Sequence, residues 1–278
     1  MEIRKGLKVL ITGAGSGIGR ATAVAMAELG GRMFLTDINA AGLAETRGII
    51  EGAGGEVCAS RAFDIASLEE CKRFADEVQD EFGSMDVVMN IAGISIWGQV
   101  EDLEHEHWRK AIDVDLWGPI HVIECFLPEM IRAGRGGHLV NVASVAGLTG
   151  APWHGPYAAA KWGLAGLSEV LRYDFMQHRI GVTLVCPGAV ETPLKHTVQI
   201  IGVDADSPYV TRIKERFSER AVPPETVARQ IVAAIRKNRF MVLTSFDVKL
   251  LYFAKQKLFP LYHQVMIRIS RMLNQAKG

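Results

Sequence analysis

The residues best suited to chemistry are Tyr157 and Lys161, in the run Tyr157-Ala158-Ala159-Ala160-Lys161, with Ser144 thirteen positions before the tyrosine. On a helix, a four-residue step places the phenol and the ammonium on one face, one turn apart. A free phenol titrates near ~10 and is a poor base at neutral pH. An ammonium about 4 Å away, at an effective dielectric near 20, favours the phenolate by roughly 4 kcal/mol. That amounts to about three pKa units. A phenol tuned that far exchanges a proton near neutrality. Tyr-x-x-x-Lys also occurs on ordinary amphipathic helices, so its meaning depends on what the rest of the chain puts beside it.

The scaffold for such a pair is readable from the N-terminus onward. Lys8 to Thr12 reads as a short buried strand. It runs into Gly13-Ala14-Gly15-Ser16-Gly17-Ile18-Gly19, and Arg20 to Leu29 then keeps a helical period that stops at Gly30-Gly31. Strand, glycine turn and helix form the context of a dinucleotide-binding fingerprint. The glycines let backbone approach a pyrophosphate, and free N–H groups at the helix start bind it. A second apolar strand, Arg32 to Thr36, ends at Asp37. A carboxylate there accepts hydrogen bonds from ribose hydroxyls and repels a 2′-phosphate, and Ile38 follows with no arginine to attract one. NAD is therefore expected over NADP. The competing reading is that Asp37 only caps the next helix.

The alternation continues. Helices are expected at about 40–52 and 67–82, and strands at 56–62 and 86–89. A helical stretch at 104–133 should break near Gly118-Pro119. A strand at 138–143 delivers Ser144, a helix at 156–178 carries Tyr157 and Lys161, and strands at 180–186 and 240–243 follow. The expectation is an α/β fold, a Rossmann-type doubly wound parallel sheet of about seven strands with helices on both faces. One domain should cover 1–245, followed by a helical extension over 246–278.

Composition narrows the function classes. In 278 residues, 49% are hydrophobic, which suits a large buried core, and the formal net charge is zero, so no global field draws nucleic acid. The cysteines Cys58, Cys71, Cys125 and Cys186 are scattered, without CxxC or a nearby histidine pair. Reduced thiols are expected, and no metal site. Met1-Glu2-Ile3-Arg4-Lys5 lacks a signal peptide, and no apolar run is long enough to span a bilayer, so a cytoplasmic protein is expected.

Taken together, these residues resemble the short-chain dehydrogenases/reductases from about residue 6 to 243. The motifs are Thr12-Gly13-x-x-x-Gly17-x-Gly19, Asp64, Asn90-Ile91-Ala92-Gly93, Ser144, Tyr157-x-x-x-Lys161, and Pro187-Gly188 with Thr192. Each is degenerate, but all of them in order at the family's spacing are specific. The resemblance implies roles. Tyr157 would be the general acid/base, Lys161 would lower its pKa and hold the nicotinamide ribose, and Ser144 would hydrogen-bond the substrate oxygen. Asp64 and Ile65 would contact adenine. Asn90, Ala92 and Gly93 would line the cofactor floor, and Thr192, after Pro187, Gly188 and Val190, would reach the carboxamide. One residue departs from the pattern. The family usually has asparagine in a Val-Asn-Leu-x-Gly context, where its main-chain carbonyl holds a water of the proton relay. This chain has Val114-Asp115-Leu116-Trp117-Gly118. Asp115 keeps the carbonyl but adds negative charge, which raises neighbouring pKa values. Ser144, Tyr157, Lys161 and Asp115 are the candidate catalytic set.

The substrate wall is expected from Ile94, Ile96, Trp97, Val145, Trp153, His154 and Leu194, with 189–222 as a loop over the site. Ile94, Ile96, Trp97, Leu148, Trp153 and Leu194 are apolar and no Lys/Arg cluster lies among them, which favours a hydrophobic secondary alcohol or ketone, steroid-, retinoid- or lipid-like. A 3-oxoacyl-thioester reductase and a non-catalytic NAD-binding sensor are the alternatives. In the tail, Leu251, Ala254, Leu258, Leu261, Val265, Ile269 and Met272 recur at helical spacing, kinked at Pro260, among Lys249, Lys255, Lys257, Arg268 and Arg271. Three placements stay open for 246–278: against its own domain or a partner subunit, on a membrane surface, or over a lipid-like pocket. The resemblance implies a homodimer or homotetramer.

Overall fold

The computed structural model describes residues 1–193, 198–203, 211, 215 and 219–275. Its strands are β1 (Lys8–Thr12), β2 (Arg32–Asp37), β3 (Glu56–Ala62), β4 (Val87–Asn90), β5 (Ile96–Trp97), β6 (Gly137–Val142), β7 (Ile180–Cys186), β8 (Gln199–Ile200) and β9 (Met241–Leu243). Seven of them form one parallel sheet in the order β3-β2-β1-β4-β6-β7-β9, while β5 and β8 pair separately. The register sets Val9 of β1 between Met33 of β2 and Val87 of β4. These strands are near-continuous runs of buried apolar residues because helices cover both faces. One face packs Met26, Ile50, Ile231 and Ile235, and the other packs Phe74, Phe126, Leu127 and Met130.

The helices are α1 (Gly17–Glu28), α2 (Ala40–Gly52), α3 (Leu68–Phe82), α4 (His105–Ile112), α5 (Gly118–Ala133), α6 (Gly155–Asp174), α7 (Pro224–Lys237), α8 (Phe246–Lys257) and α9 (Phe259–Asn274). Strand order reverses between β1 and β4, and ligands of such sheets bind outside the carboxyl ends of the strands at that point.

Three helical expectations are corrected. The stretch 104–133 does not break at Gly118-Pro119. It passes through a π-helical turn, Asp113–Trp117, in which the Gly118 N–H donates to the Asp113 carbonyl. Pro119 has no N–H to give, so the regular ladder loosens just ahead of it while the backbone stays helical. The helix carrying Tyr157 stops at Asp174 rather than 178. A short turn, Met176–His178, follows, and Arg179 closes it in the left-handed region with φ 56°. The tail is two helices rather than one kinked helix. Leu258 leaves helical geometry at φ −129° and ψ 49°, and Pro260 sits in the first turn of α9, where its missing N–H costs nothing.

Both tail helices pack on the sheet domain. The Gly150 N–H donates to the Tyr262 hydroxyl at 2.8 Å. The Asn274 Oδ1 accepts from Trp153 Nε1 at 3.0 Å and from Gln99 Nε2 at 2.8 Å. The Lys255 ammonium donates to the Leu148 carbonyl at 2.5 Å and lies 3.9 Å over the Trp162 ring.

Candidate active site

Ser144 follows β6 directly and caps the 3₁₀ turn Val145–Gly147, its Oγ accepting from the Ala146 N–H at 3.1 Å. Pro156 starts α6, and Tyr157 and Lys161 then project from one face of it. Ser144 stands beside the Tyr157 phenol and pulls its pKa down. The Lys161 Nζ lies 5.8 Å from the Tyr157 ring centre and donates to the Val142 carbonyl at 3.3 Å. It also stands 3.3 Å from Asp115 Oδ1, in a buried ion pair. The π-helical turn carries Asp115 to this spot, fully buried. Its Oδ1 also accepts from the Ile94 N–H at 3.0 Å, while Oδ2 is buried with no hydrogen-bond partner among the described residues.

These contacts reverse one expectation from sequence. Burial pushes the Tyr157 phenol above its ordinary pKa, outweighing the downward pull of Lys161, and Asp115 adds to the rise. The phenol is thus protonated at neutral pH. Burial pulls the Lys161 ammonium down, but Asp115 and Tyr157 more than offset it, so its pKa is raised and the charge persists. Burial likewise lifts the Asp115 carboxyl against the pull of Lys161. The single ammonium is divided between a phenol and a carboxylate, which helical spacing alone does not reveal.

A cavity of about 570 Å³ opens above these groups. Ser144, Tyr157, Lys161, Gly93, Ile18, Pro187, Gly188, Val190 and Thr192 line it, as do Ile94, Trp97, Val145 and His154. Ile96 does not line it. That side chain is buried, and strand alternation turns it away from the face that Trp97 presents. Trp153, at φ 68°, is also buried away from the lining, its indole N–H spent on Asn274. Leu148 packs into a core cluster with Leu164 and Leu184. Leu194 and much of 189–222 lie outside the described residues. The far wall comes from the tail, from Val248 and Leu251 of α8 and Ile269 and Met272 of α9; sequence had left a placement over a pocket open among three, and had not singled out Val248. Their i, i+3 spacing was the available signal.

The remaining sequence candidates gather at the carboxyl edge of the sheet. The Ser16 side chain makes no capping bond, which leaves first-turn N–H groups of α1 without a side-chain partner. Gly17 has φ 52°, and a Cβ on it would meet Thr192 at 2.8 Å, while one on Gly19 would overlap the Gly13 carbonyl. Asp37 caps no helix, because Asn39 caps α2. Its Oδ2 instead accepts from the Gly15 N–H at 2.8 Å, and Oδ1 accepts from the Asn39 N–H at 2.8 Å. Arg20, the nearby cation, already donates to the Gly15 carbonyl at 2.6 Å and to Glu45 at 2.7 Å. Thr12 Oγ1 accepts from Ile91 and Ala92 N–H groups at 3.1 and 3.2 Å, tying β1 to the end of β4. Asn90 lies beneath the cleft, donating to Asn141 at 2.9 Å, and Asn141 donates to Ser168 at 2.9 Å. Asp64 is exposed after β3 and accepts from the Ala66 N–H at 2.9 Å, and Ile65 is buried against Gly118.

The family model for short chain dehydrogenase matches residues 7–200, which include the glycine turn, Ser144, Tyr157 and Lys161. The chain belongs to the short-chain dehydrogenase family. This dehydrogenase is 34% identical over 253 residues to the putative oxidoreductase SadH of Mycobacterium tuberculosis, covering 90% of each chain. It is 35% identical over 226 residues to a 2,5-dichloro-2,5-cyclohexadiene-1,4-diol dehydrogenase of Sphingobium indicum, covering 79% of this chain and 87% of the relative. A short-chain dehydrogenase from Burkholderia phymatum, solved with NAD, superposes with a TM-score of 0.85 at 28% identity over 94% of this chain and 96% of that one. The chain is an oxidoreductase of this family. Among the described residues, no helix is long and apolar enough to cross a membrane.

Proposed function

We propose that this dehydrogenase transfers a hydride between NAD(H) and a hydrophobic secondary alcohol or ketone of steroid-, retinoid- or lipid-like shape. The observation that carries the reading is Ser144, Tyr157 and Lys161 lining one cavity whose surface is mostly apolar, with Ile94, Trp97, Leu251, Ile269 and Met272. Its volume, about 570 Å³, is shared between the substrate side and the nicotinamide side, since Ile18, Gly93, Pro187, Gly188, Val190 and Thr192 line it too.

The residues present fit a dinucleotide, since the start of α1 offers N–H groups that no side chain caps. Gly13, Gly15, Ser16, Gly17, Ile18 and Gly19 would hold the pyrophosphate, Asp37 the adenine ribose, and Asp64 and Ile65 the adenine. Thr12, Asn90, Ala92 and Gly93 would shape the floor, and Pro187, Gly188, Val190 and Thr192 would hold the carboxamide side. The nicotinamide, when bound, supplies the hydride chemistry. Tyr157 gives a proton to, or takes one from, the substrate oxygen, which Ser144 orients. Lys161 holds the nicotinamide ribose, and Asp115 positions Lys161. A phenol kept protonated by burial is set to act as the acid in ketone reduction. The test is turnover over a panel of steroids, retinols, aliphatic alcohols and their ketones. Absence of turnover across that panel would sink the substrate class.

The NAD preference rests on Asp37. Like charges brought together cost several kcal/mol, so kcat/KM with NAD should exceed that with NADP by about a hundredfold or more. Asp37→Ser should close most of that gap by restoring NADP use. Comparable wild-type rates with the two cofactors would remove the role of Asp37.

We also propose that 246–278 rests on an anionic lipid surface. Phe246, Leu250, Phe253, Leu258, Phe259 and Leu261 are exposed, on the two helices whose other residues line the cavity. The sequence from 248 to 278 contains no Asp or Glu. Each basic residue near an anionic membrane contributes about 1 kcal/mol. Leu250→Glu/Phe253→Glu should abolish co-sedimentation with phosphatidylserine vesicles, and neutral vesicles should bind less than anionic ones. Equal behaviour of wild type and variant would eliminate the lipid contact. A homodimer or homotetramer is the assembly that light scattering should find.

A further inference from the structure

His154 lies just ahead of α6, three residues before Tyr157, and its backbone is pinned by a bridge to Gly98. Its ring packs on Trp97 with centroids 4.3 Å apart and planes 35° from parallel. Nδ1 stands 2.7 Å from the Pro152 carbonyl. A carbonyl only accepts, so Nδ1 carries the proton and donates it. Burial pushes the ring's pKa down to about 4, which leaves Nε2 a bare lone pair at neutral pH. Among the described residues Nε2 has no hydrogen-bond partner, and His154 lines the cavity. The Tyr157 ring is 6.3 Å away. The cavity lining is mostly apolar, with Ile94, Trp97, Ile269 and Met272, and Ser95, Arg220 and Asp247 line it as well.

We propose that His154 Nε2 accepts a hydrogen bond from a second hydroxyl of the substrate, so that the pocket selects diols and hydroxy ketones over simple alcohols and ketones. The proposal rests on the dehydrogenase reading above and adds the substrate's second polar group. An acceptor in an apolar wall is left unsatisfied by an aliphatic ligand and satisfied by a hydroxylated one. Sites built around such a contact reject analogues that lack it far more strongly than apolar walls reject a missing methylene. The contact sits beside the acid/base and would fix which of two hydroxyls faces Tyr157.

The experiment compares cyclohexanol with the 1,2-, 1,3- and 1,4-cyclohexanediols on the full-length NAD-loaded protein, by Trp fluorescence titration and by kcat/KM. Wild type should favour at least one diol by about tenfold or more. His154→Phe keeps the ring stack on Trp97 and should bring that ratio to about one, chiefly by weakening the diol. His154→Gln, which returns an acceptor near the Nε2 position, should recover part of the preference. In ¹⁵N-histidine spectra, the unprotonated Nε2 resonance should move on adding the diol and stay still with cyclohexanol. No diol preference in wild type, a preference unchanged in His154→Phe, or an Nε2–H tautomer would each overturn the proposal. Preferential diol binding without oxidation of any ligand would instead leave this contact standing and count against the proposed hydride transfer.

Discussion

Replacing Tyr157 with phenylalanine should lower kcat by about a thousandfold, within the roughly 10²–10⁴ that a positioned acid/base contributes. The ring stays, so the packing of α6 on the cavity floor stays with it. What leaves is one hydroxyl, the group whose pKa Ser144 and Lys161 both pull down. NAD affinity should change by about tenfold at most, since hydroxyl loss removes at most one modest hydrogen bond. Lys161→Met separates the two roles: it should reduce both kcat and NAD affinity, because the ammonium serves the phenol and the cofactor. A Tyr157→Phe protein with intact turnover and intact NAD binding would show that the proton travels by another route.

Asp115 is expected to produce the second large effect, in two different ways depending on what replaces it. Asp115→Leu strands a buried ammonium, and breaking a buried pair from one side costs about 3–5 kcal/mol. At roughly 2–4 °C per kcal/mol, Tm should fall by about 10 °C in differential scanning fluorimetry. Asp115→Asn keeps the shape and an oxygen to accept from Ile94 N–H while removing the carboxylate charge. Asp115 raises the Tyr157 phenol's pKa, so its neutralisation lowers that pKa. Alcohol oxidation needs the phenolate, and its rising limb should therefore move to lower pH. Ketone reduction needs the phenol, and its falling limb should move the same way. A merely structural Asp115 would leave both limbs where they are in Asp115→Asn.

The fold was readable because its signals are local and periodic. Val9-Leu10-Ile11 running into Gly13 through Gly19, and the strand ending at Asp37, each carry their own physical cause within a few residues. The pairing of Tyr157 with Lys161 was likewise a matter of helical geometry. The charge that Asp115 brings was readable, but the direction of the Tyr157 pKa was not, because it is set first by how deeply the fold buries the phenol, with Asp115 adding to the rise. The substrate side divided for a similar reason. Trp97 and His154 face the cavity, but strand alternation hides Ile96, and the positive φ of Trp153 sends its indole to Asn274. The walls from Val248 to Met272 come from a segment whose helical period was visible but whose docking partner was not.

That last segment separates two kinds of information along the chain. The residues proposed for proton exchange and dinucleotide recognition fall between Thr12 and Thr192, whereas Asp247, Val248, Leu251, Ile269 and Met272 of the cavity lining come after Leu243. Insertions, truncations or exchanges in the final thirty-five residues can therefore alter which molecules fit without touching the reactive centre. New substrate range becomes accessible to natural variation and to engineering through the residues after Leu243.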